Sequence, residues 1–369
     1  MQTIESLEDI QDIARGAVLL GTGGGGDPYI GELFLQAQLK KGRKATIIDV
    51  HSLKDDAFIV SIAGIGSPPV LLEHLVSEKL LVKLLARAES AYGRKIDALI
   101  SAEIGGANSM FPLALSAISG IPVIDGDGIG RAVPHIHMTT FSIFGVKATP
   151  CVLMDESGNV VTVDTIDDHT AEEVCRVVTG ALGACLFAAL YPMSGKQAKD
   201  FAVLGTLLQA LQIGRRIRQA RVESTNVFAA LLDYLNAGER FATILFEGKI
   251  VDVSHETRGG WHIGRAILAR AIDSTDRFVI EIKNEFTIAR LNGRTVAIVP
   301  DLICVLDAES GEPLTGEMLH YGQRVRVLGY SAPPLLRGSQ CLQVIGPRMF
   351  GFDEDFVPLE ELAQRQAGE

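Results

Sequence analysis

Basic side chains are scarce in this chain: 34 lysines and arginines stand against 45 acids, for a formal net charge of -11. The deficit argues against nucleic acid or an anionic membrane as a partner, since either needs a basic patch. Charge of either sign is thin, at 21% of residues against 47% hydrophobic, which describes a packed globular protein with little room for disorder. Only five cysteines occur, Cys151, Cys175, Cys185, Cys304 and Cys341. None forms a C-x-x-C pair, and an odd count at these distances points to reduced thiols and away from a cysteine zinc site. The start, MQTIESLEDIQDI, lacks a basic segment followed by an apolar core, so no secretory signal is evident and a cytoplasmic location is expected. Internal repeats and low-complexity stretches are also absent.

What the chain does have is length and alternation. At 369 residues it exceeds one average core, and two domains are expected, residues 1–168 and 169–369. Ile4, Leu7, Ile10, Ile13, Ala14 and Val18 fall at helical spacing and predict a helix ending near Leu20. GTGGGGDP at 21–28 follows, then a second helix from Tyr29 to Lys40 and a strand, ATIIDV. A strand at 57–63, the loop GIGSPP, a helix from Val70 to about Ala91, a strand at 97–102, a helix at 109–119 and a strand at 121–125 continue the rhythm. Such alternation marks an α/β domain with a mostly parallel sheet and flanking helices. CVLMDESGNVVTVD at 151–164 reads as a hairpin closing that domain.

From Thr170 to Met193 the sequence is expected to form a helix that carries no charge after Arg176 for roughly seventeen residues, near the lower limit for a membrane span. Gly180, Gly183 and the polar flanks favour a buried helix. A second apolar helix, Ala202 to Ile213, and a third, Asn226 to Asn236, follow. Helices this apolar need covering on more than one face, so a domain or subunit interface is expected there, and with it a homo-oligomer. Short strands then dominate and predict a C-terminal β-rich domain.

Chemistry is concentrated in IPVIDGDGIGRAVPHIHMTTF, residues 121–141. Asp125 and Asp127 flank a glycine at the C-terminal end of a predicted strand, the edge where open α/β sheets bind ligands. They could share a metal or divide acid and base roles; equally, one could cap a turn while the other pairs with Arg131. His135 and His137 have an i, i+2 relation that puts two imidazoles on one side of a strand, a metal-ligand spacing. Upstream, Glu103 and Asn108 follow a neighbouring strand in a glycine-rich loop, and either could orient a ring amide. His255, Glu256 and Thr257 follow a strand and precede a glycine pair that could let them close over the first domain. The glycine run satisfies G-x-G-x-x-G, with Asp49 at the distance of a ribose-binding acid, but a helix precedes it where the dinucleotide fingerprint requires a strand. An anion anchor, an active-site loop containing Gly24 and Gly25, and a structural turn remain as readings; no nucleotide is expected.

GTGGGGDP at 21–28, IGGANS at 104–109, DGDGIGRAVP at 125–134, HET at 255–257 and PDLI at 300–303 together resemble the S-methyl thiohydantoin desulfurase family. The resemblance runs over nearly the whole chain. It implies removal of a methylthio group from a five-membered imidazolone ring in a small-molecule substrate. Such a reaction needs activated water, donors where negative charge develops and a proton source for sulfur. The sequence offers Asp125 or Asp127 as base and His255 beside them. It offers Arg131, Glu103, Asn108, Gly24, Gly25 and Thr257 as substrate contacts, Arg131 holding a carboxylate. His135, His137 and His255 are candidate ligands of a zinc or other divalent ion that would lower the pKa of water. A ring-opening amidohydrolase acting on hydantoin or oxoproline, or a non-catalytic subunit of a hydantoinase complex, would fit much of the same pattern.

Overall fold

Apolar residues alternate along the first strands and recur at helical spacing between them, and both patterns are realised in a computed structural model. It describes residues 1–66, 77–258, 261–270 and 275–367, without the side chains of residues 257, 258, 261, 262 and 367. The first sheet runs β1 (Gln2–Ile4), β2 (Ala45–Ile48), β3 (Phe58–Gly66), β4 (Ala98–Ser101), β5 (Val123–Asp127), β6 (Cys151–Met154), β7 (Val160–Val163), β8 (Cys185–Ser194) and β9 (Val203–Leu204). In space the order is β1-β2-β5-β4-β3-β8-β6-β7, with β9 on β5. The centre, β2-β5-β4-β3, is parallel; β1, β8, β6, β7 and β9 pair antiparallel.

Helices cover both faces. On one face α1 (Leu7–Leu20), α2 (Tyr29–Lys40), α3 (Glu78–Tyr92) and α4 (Gly106–Ser119) pack in the same core as Val60, Ile62 and Leu99. On the other, α5 (Asp168–Ala181) contributes Cys175 to a core with Ile59, Ala63 and Ile100. The period-2 alternation of β3 thus feeds two hydrophobic layers. Two further helices, α6 (Thr206–Val222) and α7 (Val227–Leu235), lead into the second sheet.

The second sheet is wholly antiparallel. Its strands are β10 (Ala242–Arg258), β11 (Trp261–Ala269), β12 (Phe278–Lys283), β13 (Glu285–Leu291), β14 (Arg294–Ile298), β15 (Leu302–Asp307), β16 (Pro313–Leu314) and β17 (Arg324–Tyr330). The order is β14-β13-β12-β11-β10-β17-β15-β16.

The helix predicted from Thr170 to Met193 is in fact two elements. It stops at Ala181, and Cys185–Ser194 forms β8, inserted between β3 and β6. A run buried on both faces has no period by which helix and strand can be told apart. The hairpin at 151–164 forms as β6 and β7, and the first sheet continues beyond it in the sequence through β8. The apolar segment expected as a helix from Ala202 begins as β9, and its helix starts at Thr206. GIGSPP and the start of the helix expected from Val70 fall mostly outside the described residues; the helix is described from Glu78. Among the described residues no helix is long and apolar enough to cross a membrane.

Helices α1 and α6 touch backbone to backbone. A methyl group on Gly16 would lie 1.9 Å from the Ala210 carbonyl oxygen, and one on Gly214 would lie 2.0 Å from that of Asp12. The crossing is clamped by Arg218, whose guanidinium donates to both oxygens of the buried Asp12 carboxylate at 2.7–3.0 Å. Gly214→Ala must separate the helices, and overpacking of this kind costs about 1–3 kcal/mol. Urea denaturation is expected to show a lowered midpoint with unchanged slope. Gly238→Ala, which meets nothing within 4 Å, is expected to leave the midpoint in place.

Candidate active site

The glycine run leaves α1 and joins three parts of the molecule by its backbone. Toward the second sheet, the Thr22 carbonyl accepts from Phe286 N–H at 2.8 Å, the Gly23 carbonyl accepts from Gly316 N–H at 2.8 Å, and the Thr22 hydroxyl bridges both backbone groups of Ile303. Toward the first, the Gly25 carbonyl accepts from Ala107 N–H at 2.9 Å at the start of α4. A Cβ on Gly25 would lie 2.5 Å from the Gly105 Cα, and its φ of +76° is itself a conformation that L side chains rarely adopt. The run is therefore a backbone wedge between the two sheets.

A cavity of about 600 Å³ opens beside it. From the first sheet and the helices packed on it, Glu103, Asn108, His135, Glu172 and Arg176 line it; from the second sheet and its connections come Asn284, Glu285 and Glu317. Glu103 follows β4. Its Oε1 accepts from Asn108 Nδ2 and its Oε2 from Val133 N–H, both at 2.7 Å. Asn108 is held in turn, its Oδ1 accepting from Gly64 N–H at 2.7 Å. Burial outweighs these bonds and pushes the Glu103 carboxyl up to about 7. Glu285, at the head of β13, is 2% exposed and its Oε2 has no hydrogen-bond partner. Burial, and then the charge of Glu103, drive its pKa well above the carboxylate range. Glu317 also has a buried, unpartnered Oε1, and burial raises it too. Three acids from two domains thus face one cavity in a setting that favours their neutral forms.

Glu172 is the contrasting acid. Burial pushes it up, but His135 Nδ1 at 3.1 Å, Ile136 N–H at 2.8 Å and the Arg176 guanidinium together hold it down to about 2. Arg176 also donates to the Pro134 carbonyl.

Of the residues singled out in the sequence, Glu103, Asn108, Gly24, Gly25 and His135 line the cavity. Asp125, Asp127, Arg131, His137 and His255 do not. Asp125 accepts from Leu208 N–H at 3.0 Å and so caps α6. Asp127 is fully buried; its Oδ1 accepts from Ile129 and Gly130 N–H at 2.7 and 2.6 Å, which shapes the turn after β5, and burial raises it to about 6. The two carboxylates diverge because β9 pairs with Gly126 and Asp127 and draws α6 over Asp125. Arg131 is fully buried, donating to the Ala132 and Pro300 carbonyls at 3.0 and 2.9 Å, so its guanidinium sits in the domain junction. Asp49 accepts from His51 N–H and caps a short turn.

His135 caps a 3-10 turn, Ile136–Met138, that contains His137 and stands in place of the expected strand, with the two rings stacked at 4.8 Å; His137 stacks on His169 at 3.9 Å. Burial, then the neighbouring imidazoles, lower His137 to about 4. His255 is exposed within β10, its Nε2 3.4 Å from the Leu319 carbonyl. The Thr257 side chain lies outside the described residues. His135 and His137 thus stand side by side while His255 lies on β10, and among the described residues no three His, Cys, Asp or Glu side chains are arranged to hold an ion.

The sequence reading missed Glu285, Glu317, Glu172 and Arg176. For Glu285 a signal was present: it is the one charged residue in the EFTIA stretch, whose every position is buried.

Two family models together span most of the chain. One for the S-Me-THD-like N-terminal domain matches residues 8–165, and one for the S-Me-THD-like C-terminal domain matches residues 166–359. The chain belongs to the S-methyl thiohydantoin desulfurase family. That family name suggests an enzyme acting on a thiohydantoin. An X-ray structure of a protein from Chromobacterium violaceum shares the fold, with a TM-score of 0.81 and 24% identity over 97% of this chain and 100% of that one. No curated protein matches.

Glu103 gives this family member a testable pH signature. A carboxyl raised from 4.5 to about 7 contributes stability that is fully present below pH 4.5 and lost as pH rises through 7, on the order of 3 kcal/mol. Asp127 adds a loss of the same sign through about pH 6. Chemical denaturation at pH 5 and 8 is expected to show the wild type weaker at the higher pH. Glu103→Gln, which carries a pH-independent offset, is expected to show a shallower decline. Equal pH slopes in the two proteins would mean that Glu103 titrates normally.

Proposed function

We propose that the protein is a hydrolytic desulfurase that releases methanethiol from an S-methyl thiohydantoin-type ring and leaves a hydantoin. The observation that carries this reading is the pair of unlike carboxyls at one cavity: Glu103, poised near neutrality, and Glu285, held protonated. Pairs whose environments push their pKa values apart serve as base and acid.

Water adds to the ring carbon bearing sulfur. Glu103, ionised, takes one proton from that water and passes it to the ring nitrogen as the C=N bond opens. The tetrahedral adduct then collapses to the carbonyl as the carbon–sulfur bond breaks; Glu285 gives its proton to the departing thiolate and is reprotonated by the proton that the adduct's hydroxyl releases. Over the cycle both hydrogens of water are accounted for, one on nitrogen and one on methanethiol. Asn108 has both amide atoms engaged, with Gly64 and Glu103, so it is a positioning residue for the base.

The pH profile of kcat/KM is expected to rise through about 7 as Glu103 ionises. Glu103→Gln is expected to lower kcat for methanethiol release by at least about a hundredfold, the usual cost of losing a general base. Asn108→Ala removes a bond to the ionised form and is expected to move the rising limb to higher pH. Thiol release that is unchanged in Glu103→Gln would sink the assignment. Ring opening without thiol release would instead point to a cyclic amidohydrolase.

A further inference from the structure

A second, separate cavity of about 340 Å³ lies where β9 and the first turns of α6 meet Arg240 and Pro333–Leu335. It shares no lining residue with the first. Its walls are mixed: Leu204 and Leu335, 40% and 37% exposed, with Ala202, Val203 and the two prolines, form the apolar part, and Thr206, Gln209 and Arg240 the polar part.

Arg240 is the charged group at this cavity. Its Nε donates to the Ser331 carbonyl at 2.6 Å, and its guanidinium carbon lies 3.7 Å from the centroid of the Tyr330 ring. Nη1 reaches Gln209 Oε1 only at 3.4 Å, and Nη2 is buried without a partner. Among the described residues no carboxylate lies within ion-pair distance, unlike nearby Arg337, which is paired to both Asp301 and Glu360. A guanidinium cannot shed its proton to escape burial. Leaving it without a counter-charge is costly, and an anion supplies what the protein does not.

The surroundings select among anions. Phosphate binds well where helix N-terminal amides are open, but Leu208 N–H in the first turn of α6 is already bonded to Asp125. A planar monocarboxylate matches the guanidinium fork, and an apolar body matches the apolar part of the walls. The volume lies at the small end of ligand pockets.

We propose that this cleft binds a small organic monocarboxylate with an apolar body, its carboxylate on Arg240 and its body between Leu204 and Leu335. The test is calorimetric titration of the full chain with benzoate, benzamide and inorganic phosphate. Benzoate is expected to bind with a dissociation constant below about 1 mM, with benzamide and phosphate at least tenfold weaker. Arg240→Met should weaken benzoate at least tenfold, and Leu204→Trp, which fills the cleft and leaves the guanidinium intact, should do the same if the arginine variant fails to fold. Three results would overturn the proposal: no benzoate binding, phosphate binding as tight as benzoate, or benzoate binding that survives Leu204→Trp and is lost in Glu103→Gln, which would place it in the first cavity.

Discussion

The backbone contact between the glycine run and its two neighbours is the constraint on which the site depends. Side chains can adjust to one another, whereas two backbones that meet through Gly25 and Gly105 leave no slack. Because Thr22 and Gly23 are bonded to Phe286, Ile303 and Gly316, the turns that carry Glu285 and Glu317 are fixed relative to Glu103. The cavity is assembled from two domains, yet its acids are positioned by one short stretch of chain.

Rigid placement explains how the site keeps acids in unlike protonation states. A carboxylate loses hydration on burial and must either find donors or take up a proton. Glu172 finds them in His135, Ile136 and Arg176 and stays ionised. Glu285 has an oxygen with no partner and stays protonated. Glu103, with two hydrogen bonds and full burial, falls between them. A looser interface would admit water and erase these differences.

Much of the fold was legible because its strongest signals are local. Helix α1, the parallel β3–β4–β5 core and the β-rich second half follow from period and turn chemistry alone. Strand β8 was hidden because a segment buried on both faces loses its alternation. At the site, the glycine loops, Glu103 and Asn108 could be found, since glycine clusters mark loops and Glu103 and Asn108 flank the one that joins β4 to α4. Asp125 and Asp127 diverge for a physical reason: an i, i+2 pair shares a face only while the strand stays regular, and β9 with α6 claims one carboxylate as a helix cap while the turn claims the other. Glu285 and Glu317 lie more than 150 residues from Glu103 in the sequence, and only the tertiary stitching at Thr22 and Gly23 brings them there.

The central claim is that Glu103 is buried in a setting that leaves it half-ionised near neutrality while Glu285 remains protonated. Carbon-13 NMR titration of the glutamate carboxyls, with Glu103→Gln and Glu285→Gln proteins for assignment, measures this directly. The account predicts a Glu103 signal with its midpoint near pH 7 and a Glu285 signal that stays in its protonated position well above the ordinary carboxylate range. Both signals titrating near pH 4.5 would contradict it.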